Sequence, residues 1–253
     1  MLGQFTYDAQ VHTSLGLGQD PPGDCVRAAE AFGLEAVALT DHYDGEESRI
    51  KPRLEEYTRA ASRSGVRVIP GASCDILDPQ GRLTLSELAA KPFALVLISL
   101  SPLTEGVARE VPVHLPSLLD NLYHALVHAC RRPFVKVLAA PFALGRFPAP
   151  LTPEQIPVRM LEEVAGVMVE HEVAFELNNG IWTAYPDLPL AELTEQYGGL
   201  IKTFSREGVK FITGSGARTA EAVGHFNYAS RLAMAAGLEK SQFVDLRRLP
   251  GAG

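Results

Sequence analysis

Short apolar runs alternate with amphipathic stretches along nearly the whole chain. Runs at 5–12, 36–39, 66–70, 93–98, 134–139, 172–177 and 209–213 have the length of strands, and the first of them alternates with period two. Between them lie helical patterns. One covers 24–32, with Asp24 as N-cap and Gly33 as terminator, and another covers 52–64, with Leu54, Tyr57 and Ala61 as its stripe. A stripe of Leu118, Leu122, Leu126 and Ala129 marks a helix over 117–131. Thr152, Pro153 and Gln155 make a capping box that predicts a helix starting there. Two more helices are expected over 190–206, with a break at Gly198-Gly199, and over 219–236.

Regular alternation of strand and helix predicts a parallel sheet with helices on its outside. No repeat or linker divides the 253 residues, so a single domain over 1–253 is expected, with a loose tail over 247–253. The composition, 46% hydrophobic and 21% charged, suits a large core. A net charge of -7 argues against a nucleic-acid partner, because phosphate backbones are held by clustered Lys and Arg. Cys25, Cys74 and Cys130 are odd in number and lack metal-type spacing, which points to a reducing compartment. With no leader pattern at the start and no membrane-length apolar run, a cytoplasmic location with no membrane partner is the expectation.

Chemistry gathers at the ends of the strand candidates. Thr40, Asp41 and His42 follow the run at 36–39, and alternation puts Asp8, Gln10 and His12 on one face of the first strand and Glu176 and Asn178 on one face of the sixth. Ser73 follows the third strand; Cys74 and Asp75 come next and are expected to face away from it. His124 and His128 stand at i and i+4, a spacing that can hold zinc, but without the glutamate of a protease motif they read as surface histidines. Trp182 and Tyr185 sit in the loop after the sixth strand, where aromatic rings cover a core or pack beside a ligand.

Laid end to end, these motifs resemble the polymerase-and-histidinol-phosphatase (PHP) family of metal-dependent phosphoesterases. The segments that carry the resemblance are Asp8-Ala9-Gln10-Val11-His12-Thr13, Thr40-Asp41-His42, Val68-Ile69-Pro70-Gly71, Ala174-Phe175-Glu176-Leu177-Asn178 and Gly214-Ser215-Gly216-Ala217-Arg218. The resemblance implies a distorted TIM-like (β/α)7 barrel, with His12, His42, Glu176 and Arg218 at its C-terminal mouth. It also implies metal-ligand positions, where this chain carries Gln10, Ser73, Ser101, Ala140, Gly216 and Arg218 in place of His or carboxylate. A cluster of catalytic metals needs many converging ligands, so loss of the multinuclear site is the expectation.

Arg218 repels a cation where a ligand once stood, but its planar fork suits phosphate or carboxylate. The reading that follows is a non-hydrolytic barrel that binds an anionic, phosphorylated small molecule in a pocket of Asp8, Gln10, His12, Asp41, His42, Ser73, Glu176, Asn178 and Arg218. Anion affinity is expected to rise as His12 and His42 gain charge near pH ~6.5. No cofactor is expected beyond one divalent ion held weakly by His12, His42 and Asp41. Two alternatives stay open: a single-metal phosphoesterase of histidinol-phosphatase type, and a protein-interaction scaffold.

Overall fold

The computed structural model describes residues 5–252. The start of the chain at 1–4, where no leader is expected, and Gly253 of the tail lie outside the described residues. Seven parallel strands pair in chain order: β1 (Tyr7–Val11), β2 (Ala36–Leu39), β3 (Arg67–Ile76), β4 (Leu95–Leu100), β5 (Val137–Leu138), β6 (Ala174–Asn178) and β7 (Phe211–Gly214). After each strand comes one helix: α1 (Pro22–Phe32), α2 (Ile50–Ala61), α3 (Glu87–Ala90), α4 (Leu115–Cys130), α5 (Val158–Glu170), α6 (Leu190–Arg206) and α7 (Asn227–Ala236). The sheet nearly closes on itself. Just past β7, Ala217 bridges to Val11; the His12 N–H donates to the Ala217 carbonyl at 2.8 Å and the Gly216 N–H to the Gln10 carbonyl at 3.0 Å. This is the distorted (β/α)7 barrel that the sequence implies.

Two separate apolar layers follow from the two faces of the strands. Tyr7, Ala9, Ala36, Ala38, Ile69, Leu97, Val137, Ala174 and Ile212 come from all seven strands and pack on one another, which is the signature of a filled barrel interior. Many are alanines, since seven strands enclose little volume. The intervening residues, such as Val37, Leu39, Val68, Ala72 and Phe175, pack outward against the helices. Leu246 joins the interior group with no exposed surface.

The tail expected to be loose is held down as far as it is described. Arg67 donates through Nη2 to the Leu249 carbonyl at 2.6 Å, and the Ala252 N–H donates to the Val68 carbonyl at 2.8 Å.

Other differences have local causes. Strand β3 runs past Pro70 to Ile76 because it changes partners there, pairing with β2 through Pro70 and with β4 from Gly71 onward. Strand β5 keeps only two residues, since Ala140 and Phe142 take left-handed φ of 40° and 56° and turn the chain away. The Thr152–Gln155 capping box forms, but Pro157 limits it to a single turn over Pro153–Gln155 before α5 begins at Val158. Helix α1 starts at Pro22, leaving Asp24 in its first turn, and α6 passes Gly198-Gly199 unbroken.

Candidate functional site

In a parallel barrel the C-terminal strand ends form one mouth, and the candidate pocket residues lie on the strands or on the segments that follow them. Strand β1 reaches that mouth through a bulge: Tyr7 and Asp8 pair with Ala36 and Val37, but Val11 pairs with Leu39, so three steps on β1 match two on β2. The expectation that Asp8, Gln10 and His12 share a face is therefore corrected. Asp8 stands opposite the outward Val37, and its fully buried carboxylate accepts from the backbone N–H of Ser215 (2.9 Å), Gly224 (3.0 Å) and Gln10 (3.2 Å). It clasps β1 to the segment after β7 and is not a pocket residue. Burial raises its pKa, against the pull of those donors.

Asp41 is likewise occupied. Its carboxylate has no exposed surface and accepts from the Thr13 N–H (2.5 Å), the Thr13 hydroxyl (2.6 Å) and the Tyr57 hydroxyl (2.7 Å). Arg53 donates to the Asp41 carbonyl at 3.3 Å and to the His42 carbonyl at 3.2 Å. Asp41 thus ties the β1 loop, the end of β2 and α2 together. Its oxygens accept from Thr13 and Tyr57, and among the described residues no imidazole meets them, in contrast with its expected place beside His12 and His42.

At the mouth, the carboxylate that meets an imidazole is Asp75. His42 Nε2 lies 3.2 Å from Asp75 Oδ2, with the His42 side chain 25% exposed and Asp75 nearly buried. Asp75 was expected to face away from Ser73, but residues two apart on a strand share a face, and that parity is the sequence signal for it. Cys74, between them, packs into the outer layer. Ser73 bridges to His42 through its backbone, and its hydroxyl is buried without a partner among the described residues.

His12 is 7% exposed, and its Nδ1 has no hydrogen-bond partner among the described residues. Burial first, then the charges of Arg218 and His42, push its pKa down to about 4. His12 therefore stays neutral across the range near pH ~6.5 in which it was expected to gain charge and aid an anion. Arg218 is exposed, close enough to act on His12, and makes no ion pair or side-chain hydrogen bond among the described residues.

Across the mouth, Glu176 and Asn178 share the inner face of β6. Asn178 Nδ2 donates to Gln10 Oε1 at 2.7 Å and lies 3.3 Å from Glu176 Oε2, which also accepts from the Ala140 N–H at 2.8 Å. Glu176 has no exposed surface; burial raises its pKa from the ordinary 4.5 to about 7, opposed by the Ala140 and Asn178 donors and assisted by the Asp8 charge. Gly214 makes room for it, because a Cβ there would stand 2.1 Å from Glu176 Oε1.

The shift has a stability consequence. The unfolded carboxyl ionises above about 4.5 while the folded one holds its proton to about 7, so stability present at pH 4 is lost as the pH climbs through that window. Urea unfolding at pH 5 and pH 8 should show wild type losing about 2–3 kcal/mol that Glu176→Gln does not lose. Equal pH slopes in the two proteins would refute the protonated, buried carboxyl.

The remaining motifs lie elsewhere. Ser101 caps its own turn, its hydroxyl accepting from the Leu103 N–H at 3.1 Å. His124 and His128 stack on the outer helix α4, with ring centroids 5.4 Å apart, and His128 Nδ1 contacts the Pro79 carbonyl at 2.7 Å. Tyr185 is buried with its hydroxyl on the Phe142 carbonyl, whereas Trp182 is 51% exposed. The three cysteines are free and buried. Among the described residues no three His, Cys, Asp or Glu side chains converge as a metal-holding group, and no helix is long and apolar enough to cross a membrane.

The sequence profile of the PHP domain matches residues 8–235. A probable phosphatase of Acetivibrio thermocellus is 23% identical over 234 residues, covering 90% of this chain and 86% of the relative. A second probable phosphatase, from Caldanaerobacter subterraneus subsp. tengcongensis, is 26% identical over 212 residues, covering 81% and 73%. Among solved structures, a candidate histidinol phosphatase of Listeria monocytogenes superposes with a TM-score of 0.66 at 9% identity, covering 87% of this chain and 98% of that one. A chain of archaeal ribonuclease P, solved with mature tRNA, gives 0.52 at 14% identity, covering 91% and 88%. Both structures share the fold.

Proposed function

The chain belongs to the PHP domain family, and from that premise we propose that its barrel has given up the family's multinuclear metal centre and binds an anionic, phosphorylated small molecule at the mouth. The observation that carries the reading is Arg218: an exposed guanidinium without a side-chain partner among the described residues, beside His12, at a position where the resemblance implies a metal ligand. A fixed cation there disfavours a metal ion and favours a phosphate.

The other positions support the same reading. Gln10 offers its amide oxygen to Asn178, not to an open centre. Gly216 stands in a left-handed conformation at φ 66°, and a side chain there would bring its Cβ within 3.1 Å of Asn178 Nδ2, so an aspartate is disfavoured twice over. Glu176 is fully buried, and its carboxylate faces the Ala140 N–H and the Asn178 amide. These residues do not fit a cluster of divalent ions.

What remains is an anion site with Arg218 as the charged contact and His42 at its open edge. The His42 Nε2 contact with Asp75 lies at that edge, which leaves Arg218 as the fixed charge a phosphate would meet. Replacing Arg218 with alanine should weaken phosphate binding by about 1.5–3 kcal/mol, the range for a charge-assisted hydrogen bond, as read by calorimetry.

The relatives named as probable phosphatases frame the competing outcome. Metal content of protein purified without chelator, measured beside hydrolysis of a generic phosphomonoester, separates the two. Fewer than two bound ions per chain and no hydrolysis above background are expected. Two or more fully occupied ions together with turnover would make this chain a phosphatase and end the proposal.

A further inference from the structure

The geometry points to the segment over 243–252 as a strap that closes the seam between β1 and β7 and thereby regulates the mouth at the other end of those strands. The regulation rests on the anion-binding reading above; the strap itself does not. Strands are paired in order from β1 to β7, but β7 and β1 form no ladder among the described residues. They meet just past β7, where Ala217 bridges to Val11 and the Gly216 N–H reaches the Gln10 carbonyl. At the opposite end, where Phe5 leads into β1 and Phe211 begins β7, the strap makes the connection.

Its contacts cross the seam in order. Phe211 and Phe243 form a parallel bridge, and the Val244 N–H donates to the Phe211 carbonyl at 2.8 Å. The Phe243 ring lies 6.2 Å from that of Phe211 and 5.2 Å from that of Phe5, between centroids, so one ring packs on both sides. Leu246 then joins the interior layer that holds Tyr7 and Ala9 of β1 and Ile212 of β7. Beyond it Arg247 Nη1 pairs with Glu35 Oε2 at 2.8 Å, Arg67 donates to the Leu249 carbonyl, and the Ala252 N–H donates to the Val68 carbonyl. Glu35 precedes β2 and Arg67 begins β3, so the strap runs from β7 across β1 to β3.

Such a strap releases as a unit. Leu246 is the one buried residue over 239–252, regular structure there is limited to single turns at Lys240–Gln242 and Leu246–Arg248, and the Arg247 and Glu35 side chains are 56% and 48% exposed. Segments with few buried contacts open at the low end of a protein's range of local stabilities, and salt screens an exposed ion pair. Release leaves β1 and β7 joined through the Asp8 clasp and the residues beside the mouth. His12 stands on the β1 side of the seam and Arg218 on the β7 side, so strands that part there change the spacing of imidazole and guanidinium. A phosphate held by the closed mouth therefore favours the strapped form, and the strapped form favours phosphate by the same factor.

Hydrogen exchange and calorimetric phosphate titration of the full chain carrying Leu246→Asp test this. Amides of Tyr7–Val11 and Phe211–Gly214 should exchange at least tenfold faster than in wild type while those of Leu95–Leu100 keep their protection, and phosphate affinity should fall at least fivefold. Phe243→Ala, at a half-buried position, should act alike if the first variant folds poorly. Unchanged exchange in β1 and β7, or exchange that rises equally in β4, overturns the strap. Loosened strands with wild-type phosphate affinity overturn the regulation. If wild type binds no phosphate at millimolar concentration, the anion site and its regulation fall together, and exchange alone decides the strap.

Discussion

Gly214→Ala is expected to lower unfolding free energy by about 3–5 kcal/mol, seen as a large drop in the urea midpoint with an unchanged slope. Gly214 ends β7 opposite Asn178, and a Cβ built there lies 2.1 Å from Glu176 Oε1 and 2.8 Å from Gln10 Cβ. Neither neighbour has room to retreat. The Glu176 carboxyl is held by the Ala140 N–H, and Gln10 Cβ moves only with the backbone of β1. Overpacking costs about 1–3 kcal/mol, and stranding the Ala140 donor and the carboxyl costs a similar amount again. The double variant Gly214→Ala with Glu176→Ala should recover part of the loss, because it removes the clashing oxygen. A single variant within 1 kcal/mol of wild type would show that Glu176 does not fill that space.

Asp41→Ala should be comparably damaging, at about 3–5 kcal/mol, for a different reason. Alanine leaves the Thr13 N–H, the Thr13 hydroxyl and the Tyr57 hydroxyl without their acceptor in a site closed to water. Tyr57→Phe removes only one of these donors and should cost about 1 kcal/mol. Since Thr13 adjoins His12, the alanine variant should also loosen the β1 side of the mouth and weaken phosphate binding. A metal ligand would behave otherwise: its loss would change ion content with little effect on the stability of metal-free protein. Loss of bound metal without loss of stability would restore Asp41 to a ligand role.

Much of the barrel is legible in the sequence because its strands are short apolar runs set between turn and cap signals. The runs at 36–39 and 209–213 reappear as β2 and β7 almost unchanged. What local pattern misses is the effect of neighbours. Pro70-Gly71 reads as a strand end, but it is the point where β3 passes from β2 to β4, and cutting the strand there hides the shared face of Ser73 and Asp75. The bulge that turns Asp8 away from Gln10 leaves no local mark, because it arises from the pairing of β1 with β2. The capping box at Thr152 is a true local signal overruled five residues later by Pro157.

The candidate site was legible as a set of strand ends but not as a set of partners. Gln10, Glu176 and Asn178 join one network, and His12, His42 and Arg218 are electrostatic neighbours, as their places on the strands imply. Asp8 and Asp41, by contrast, are drawn into backbone clasps. An aspartate at a strand end has the same sequence signature whether it faces a ligand or caps a loop, and only the positions of the N–H groups around it decide.

In the proposed site a phosphate is held by Arg218 and not by metal. Calorimetric titration of inorganic phosphate into wild type and Arg218→Ala, each with and without excess chelator, tests it most directly. Wild-type binding should be unchanged by chelator and weakened at least tenfold by Arg218→Ala; binding abolished by chelator, or equal in the two proteins, would overturn the proposed site.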